Sequence, residues 1–126
     1  MDDLQIPETK YTLAINFNAR EGVLEMTGSS YPASAVDFFD PIFTWVREYI
    51  ATVGGPIQLD LKLNYLNTSS TKCILDILEI LESYFKRGGA VRVNWYYAED
   101  DEDIMETGEE IAEDIELPLN LIAYHE

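Results

Sequence analysis

The residues best suited to chemistry lie in one run, Asn67, Thr68, Ser69 and Ser70, followed by Thr71 and Lys72. Consecutive hydroxyls can donate and accept hydrogen bonds, and each can receive a phosphoryl group. The run follows the alternating segment LDLKLNYL and precedes CILDILEILESYF, whose apolar residues recur at helical spacing, so it reads as a strand-to-helix junction. Asn, Ser and Thr side chains cap such helix starts by accepting hydrogen bonds from amides with no partner in the helix. A phosphate added there would face the same amides at the positive end of the helix dipole. The run therefore supports two readings, a plain cap and a phosphorylation switch.

Other reactive groups are sparse. Cys73 is the single cysteine and lies within the helical apolar pattern, which excludes an internal disulfide and suggests packing, with only Lys72 near enough in sequence to lower a thiol pKa. His125 is the single histidine, one residue from the end, which argues against a Ser-His-Asp triad or a multi-histidine metal site. Asp60 reads as a solvated strand position in preference to a helper of a metal-bearing phosphatase or kinase complex. Glu99 to Asp103 are acidic enough to suggest calcium, but a calcium loop starting at Asp101 needs glycine where Glu106 stands. A solvated helix face suited to a basic protein partner is the simpler reading. The Asn67-x-Ser69 match means nothing without secretion, and no cofactor or metal is expected.

The elements that must position the hydroxyl run follow from periodicity. Tyr11, Leu13, Ile15 and Phe17 alternate with polar or small residues, and a turn at 18–22 leads to 23–27, predicting an antiparallel hairpin. Phe38, Phe39, Ile42, Trp45, Val46, Tyr49 and Ile50 then predict a first helix. At Pro41 the pattern allows either a cap at Asp40 or a longer helix kinked at the proline. Ile57, Leu59, Leu61, Leu63 and Tyr65 share one face of the next strand, with Gln58, Asp60, Lys62 and Asn64 on the other. A parallel strand covered on both faces is usually apolar throughout, so helices are expected mainly on one side of the sheet.

The second helix should bury Ile74, Ile77, Leu78, Leu81, Tyr84 and Phe85. A strand through Val91, Val93 and Trp95 follows, then a weaker acidic helix through Ile104, Met105, Ile111, Ala112 and Ile115, and a last strand over 119–124. The expected order is ββαβαβαβ in a single α/β domain with a mixed sheet. Its strand-helix-strand units should be right-handed.

Bulk properties agree. A chain of 126 residues, 47% hydrophobic, fits one core. The acidic start MDDLQIPETK and the short apolar runs predict a cytoplasmic protein with neither a secretory signal nor a membrane span. The net charge of −16 is uneven, since the segment 99–116 holds 11 of the 24 acids and no Lys or Arg follows Arg92. Such a field repels phosphate backbones and anionic membranes, so nucleic acid and lipid surfaces are disfavoured partners.

Ser30-Tyr31-Pro32, then DFFDPIFTWVREYI and LDLKLNYLNTSSTKCILDILEILE, resemble the SiaC family of bacterial regulatory phosphoproteins, with YLNTSS the most specific piece. The resemblance spans roughly residues 4–126. It implies a fold similar to STAS domains, the anti-anti-sigma-factor type, and a role in partner switching in place of catalysis. It also implies phosphorylation at Thr68 by a serine/threonine kinase of histidine-kinase-like fold, with removal by a PP2C-type phosphatase. The unphosphorylated form would bind and activate a diguanylate cyclase, raising cyclic di-GMP.

Ser69 and Ser70 stand as alternative acceptors. Asn67, Thr68, Ser69, Ser70, Thr71 and Lys72 form the expected docking centre, with Tyr31 and Pro32 at the same end of the sheet. Two other classes remain open, a small anionic-ligand module such as a nucleotide binder, and an anti-anti-sigma-type adaptor. An enzyme built on Asp60 and Thr68 has least support, for want of a general-base network and an oxyanion motif.

Overall fold

The computed structural model describes residues 1–125. The elements run β1 (Leu4–Ile6), β2 (Ala14–Asn18), β3 (Val23–Ser30), α1 (Ala35–Thr52), β4 (Ile57–Leu66), α2 (Thr68–Lys86), β5 (Val91–Ala98), α3 (Glu102–Asp114) and β6 (Leu119–Tyr124). The ββαβαβαβ order is present, preceded by a short edge strand that periodicity did not reveal. Three residues ending at Pro7 are too few to show alternation. The segment is held by Asp3, which accepts from the Ala19 amide at 2.8 Å, and by the Trp45 indole, which donates to the Asp2 carbonyl at 2.9 Å.

The six strands lie side by side in chain order. β1, β2 and β3 pair antiparallel, while β3 through β6 pair parallel. Each parallel step moves one strand further in the same direction, so crossovers of one hand place every helix on the same face. Trp45 of α1 meets Phe17 edge-on, with ring centroids 5.2 Å apart. α3 reaches Trp95, whose indole donates to the Ile104 carbonyl at 3.0 Å. The covered face buries Leu59, Leu61, Leu63, Val93 and Trp95 against Phe39, Ile42, Ile77 and Leu78.

The opposite face carries polar residues in a ladder across three strands. Gln58 and Asn94 donate to the Asp60 carboxylate, and Asn120 donates to the Asn94 carbonyl oxygen at 3.1 Å.

Helix α1 runs through Pro41 and is capped by Ser34, whose hydroxyl accepts from the Asp37 amide. Pro41 lies on the exposed side, where water can satisfy the carbonyl that a proline leaves without its usual donor. Three apolar residues depart from the periodic reading, the first being Tyr11, which is exposed and lies before the start of β2. Phe85 is exposed at the end of α2. Tyr65 is also exposed, because pairing skips from Gly28↔Leu63 to Ser29↔Tyr65, leaving Asn64 as an extra residue in β4. One inserted residue sends the next side chain to the other face of the sheet.

Candidate functional site

Because β3, β4 and β5 are parallel, α1, α2 and α3 all begin at one end of the sheet. Carboxyl ends of parallel strands are where α/β proteins most often place their sites. β4 ends at Leu66, Asn67 turns the chain, and Thr68 opens α2. Asn67 has extended backbone angles, and its side-chain oxygen accepts from the Ser70 amide at 2.8 Å. Its own amide donates to the Ser30 carbonyl at 2.9 Å. The Thr71 hydroxyl donates to the Asn67 carbonyl at 3.0 Å. Asn67 is thus the plain cap, and the hydroxyls of Thr68 and Ser69 are not needed for that task.

Those hydroxyls have separate fates. Thr68 and Ser69 are exposed, and among the described residues neither side chain has a hydrogen-bond partner. Ser70, expected as an alternative acceptor, is fully buried, and its hydroxyl shares a 2.7 Å hydrogen bond with that of Ser30. The reason is helical geometry. Ser70 stands two residues after Thr68, and a rotation of about 200° carries it to the core side when Thr68 faces water. Thr71 is half-buried. Lys72 is exposed and paired with Asp76 at 2.7 Å, one turn on.

Tyr31 and Pro32 lie at the same end, directly after Ser30, which contacts both Asn67 and Ser70. Tyr31 is exposed and Pro32 half-buried. Periodicity missed what surrounds them. Tyr31 meets Tyr11 edge-on at 5.2 Å and Tyr65 edge-on at 5.8 Å. Tyr65 had been placed on the buried face, and no signal in a lone sequence marks the bulge that turns it out. On the far side of Thr71, a groove of about 260 Å³ runs between the starts of α2 and α3, lined by Tyr65, Leu66, Asp101, Asp103 and Ile104. The acidic segment is therefore a neighbour of the hydroxyl run, a closeness that 30 residues of intervening chain conceal.

Asp101 caps α3 by accepting from the Ile104 amide at 3.1 Å, which gives it a structural task. Asp60 lies seven residues before Asn67 in or beside an extended strand, roughly 20 Å away at about 3.3 Å per residue. Its carboxylate is held by Gln58 and Asn94 on the open face. Thr68 and Asp60 are thus not brought together, and the enzyme reading loses its geometry. Burial, with Asp76 adding to it, pushes the Cys73 thiol pKa upward despite Lys72, so this sulfur stays protonated at neutral pH. His125 contacts Glu99 at the end of the chain.

No helix among the described residues is long and apolar enough to cross a membrane. The sequence pattern of the SiaC family of regulatory phosphoproteins matches residues 6–124. An uncharacterised protein of Pseudomonas aeruginosa strain UCBPP-PA14 is 40% identical over 126 residues, covering 100% of both chains. The structure is similar to that of SiaC of Pseudomonas aeruginosa, with a TM-score of 0.93 and 39% identity over 98% of this chain and 100% of that one. It is equally similar, at TM-score 0.93, 39% identity and 97% and 100% coverage, to a chain in the crystal structure of the diguanylate cyclase SiaD in complex with its activator SiaC from the same organism. With fold, length and hydroxyl junction all in agreement, this chain belongs to the SiaC family of regulatory phosphoproteins.

Proposed function

We propose that this protein is a cytoplasmic, non-enzymatic switch whose unphosphorylated form binds and activates a diguanylate cyclase. A serine/threonine kinase of histidine-kinase-like fold transfers the γ-phosphoryl group of ATP to the Thr68 hydroxyl oxygen. ADP leaves and the hydroxyl proton is lost. A PP2C-type phosphatase hydrolyses the ester and restores the bare threonine.

The observation that carries this reading is the environment of Thr68. Its hydroxyl is exposed at the first position of a 19-residue helix whose first turn holds no acid. Thr68 and Ser69 amides have no partner among the described residues, so the positive end of the helix is uncompensated. A phosphate adds roughly −1.5 to −2 charges there and favours the helix start. The same charge opposes any partner that must cover it, since burying an unpaired ion costs several kcal/mol. Binding is thus lost without refolding the domain. The solved complex of a SiaC with the cyclase SiaD supports the choice of partner.

Incubation with the cognate kinase and ATP, followed by mass spectrometry, should add one phosphate that is absent from Thr68→Ala. Label retained by that variant and lost from Ser69→Ala would move the switch to Ser69. The bare protein should bind the cyclase and raise its turnover, and the phosphorylated protein should do neither. Equal binding by both forms would overturn the switch, and a thermal shift with free nucleotides alone would favour the ligand-binding class.

A further inference from the structure

We propose that the exposed tyrosines Tyr11, Tyr31 and Tyr65 form an apolar crown that docks an aliphatic segment of the cyclase partner. This deepens the reading above and rests on it. Among the described residues eight large apolar side chains are exposed, and four of them, Tyr11, Tyr31, Val36 and Tyr65, lie at the end of the sheet where α2 begins. Two others, Val53 and Phe85, lie at the opposite ends of α1 and α2. Scattered single apolar residues need no explanation, but a contiguous group does.

The group is built. The rings of Tyr11, Tyr31 and Tyr65 meet edge-on in series, at 5.2 and 5.8 Å. The Tyr31 amide donates to the Tyr11 carbonyl at 2.9 Å, which fixes two of the rings on one scaffold. The bulge in β4 turns Tyr65 outward, although the strand's alternation would have placed it in the core. A bulge that re-aims a side chain toward solvent commonly serves a site. Tyr11, Tyr31 and Tyr65 are 50%, 36% and 54% exposed. Rigid, half-exposed tyrosines supply large contact area at low entropic cost and are enriched among interface hot spots.

Continuity with the switch identifies the occupant. Ser30 precedes Tyr31 and is bonded to Asn67 and Ser70, the residues on either side of the Thr68–Ser69 pair. A partner seated on Tyr31 and Tyr65 therefore sits beside the start of α2, the turn that carries Thr68. An aliphatic surface gives a phosphate on Thr68 no counter-charge, so the dianion would have to be stripped of water beside it. That is the arrangement in which one phosphate is most disruptive. An arginine-rich segment would be attracted by the same phosphate, giving the opposite response.

The test is calorimetric titration of the unphosphorylated protein with the purified cyclase, with thermal unfolding of each variant as the control for folding. Tyr31→Ala and Tyr65→Ala should each weaken binding at least tenfold, Tyr65→Phe should bind within about twofold of the unsubstituted protein, and Phe85→Ala at the far end should leave affinity unchanged. Unchanged affinity in Tyr31→Ala and Tyr65→Ala, with phosphorylation still abolishing binding, would overturn the crown and leave the switch intact. Loss of binding in both alanine variants, with no response to phosphorylation, would keep the crown and remove the switch. Self-association that Tyr65→Ala abolishes, with cyclase affinity unaltered, would assign the crown to a second copy of this chain and overturn the proposal.

Discussion

The starts of α2 and α3 are built alike and charged differently. Each follows the carboxyl end of a parallel strand, and each is capped by an Asn or Asp side chain that accepts from the amide three residues on. At α3 the cap is Asp101, and Glu102 and Asp103 occupy the first turn. At α2 the cap is the neutral Asn67, and the first turn holds only hydroxyls and Lys72 beyond them. Two helix dipoles of the same sense are thus treated in two ways. One is compensated permanently by carboxylates, and the other is left without a carboxylate, the condition that the proposed phosphate on Thr68 would meet. A switch needs the second arrangement, because a helix start already compensated gains little from phosphate.

Packing offers the largest way to break this comparison. α3 approaches the sheet closely because Gly108 has no side chain, and a Cβ there would lie 2.6 Å from the Trp95 ring and 2.7 Å from Leu121. Gly108→Leu should lift α3 and cost about 3 kcal/mol in urea unfolding, the upper end of ordinary overpacking. Phosphate acceptance at Thr68 should persist, since α2 is anchored separately.

A smaller loss is expected at the anchor of α2. Ser70→Ala leaves the buried Ser30 hydroxyl without its partner and should cost about 1–2 kcal/mol. Adding Ser30→Ala should recover most of that loss. A second penalty of equal size from the double variant would mean that the hydroxyl pair is not the source.

The charge comparison is sharpened by opposite substitutions at the two helix starts. Thr68→Asp should stabilise the domain by about 0.5 kcal/mol and Asp103→Asn should destabilise it by a similar amount, both shrinking in high salt. Reversal of both signs would show that overall charge repulsion dominates.

The smallest effect concerns pH. The Cys73 thiol is held above its ordinary pKa of 9.0 in the folded state, chiefly by burial. Stability from this group is complete well below pH 9 and is lost as pH rises through the raised folded pKa, because the unfolded thiol ionises before the folded one. Stability curves between pH 8 and 10 should fall less steeply for Cys73→Ala than for the unsubstituted protein.

Much of the fold was legible because its elements are long and strongly patterned. The alternation from Ile57 to Leu63 and the stripe from Ile74 to Leu81 each allow one reading, and the polar Gln58, Asp60 and Lys62 announced a sheet covered on one side only. The junction at Asn67 was legible for the same reason, as a change of period filled by capping residues. The start of α1 was not, because Pro41 suggests a boundary that the exposed side of a helix can tolerate. β1 escaped notice, since three residues carry no period.

What the sequence determined by itself is local. Periodicity set which segments become helix or strand, and the side chains of Asn67, Thr68 and Ser69 set the chemistry possible at their junction. The tertiary structure decided which groups meet. It buried Ser70 against Ser30, 40 residues away. It placed Asp101 and Asp103 beside Thr71, and one extra residue in β4 turned Tyr65 outward to join Tyr11 and Tyr31. Backbone and side-chain preferences act over a few residues, whereas strand register and helix docking are settled by the packing of the whole core.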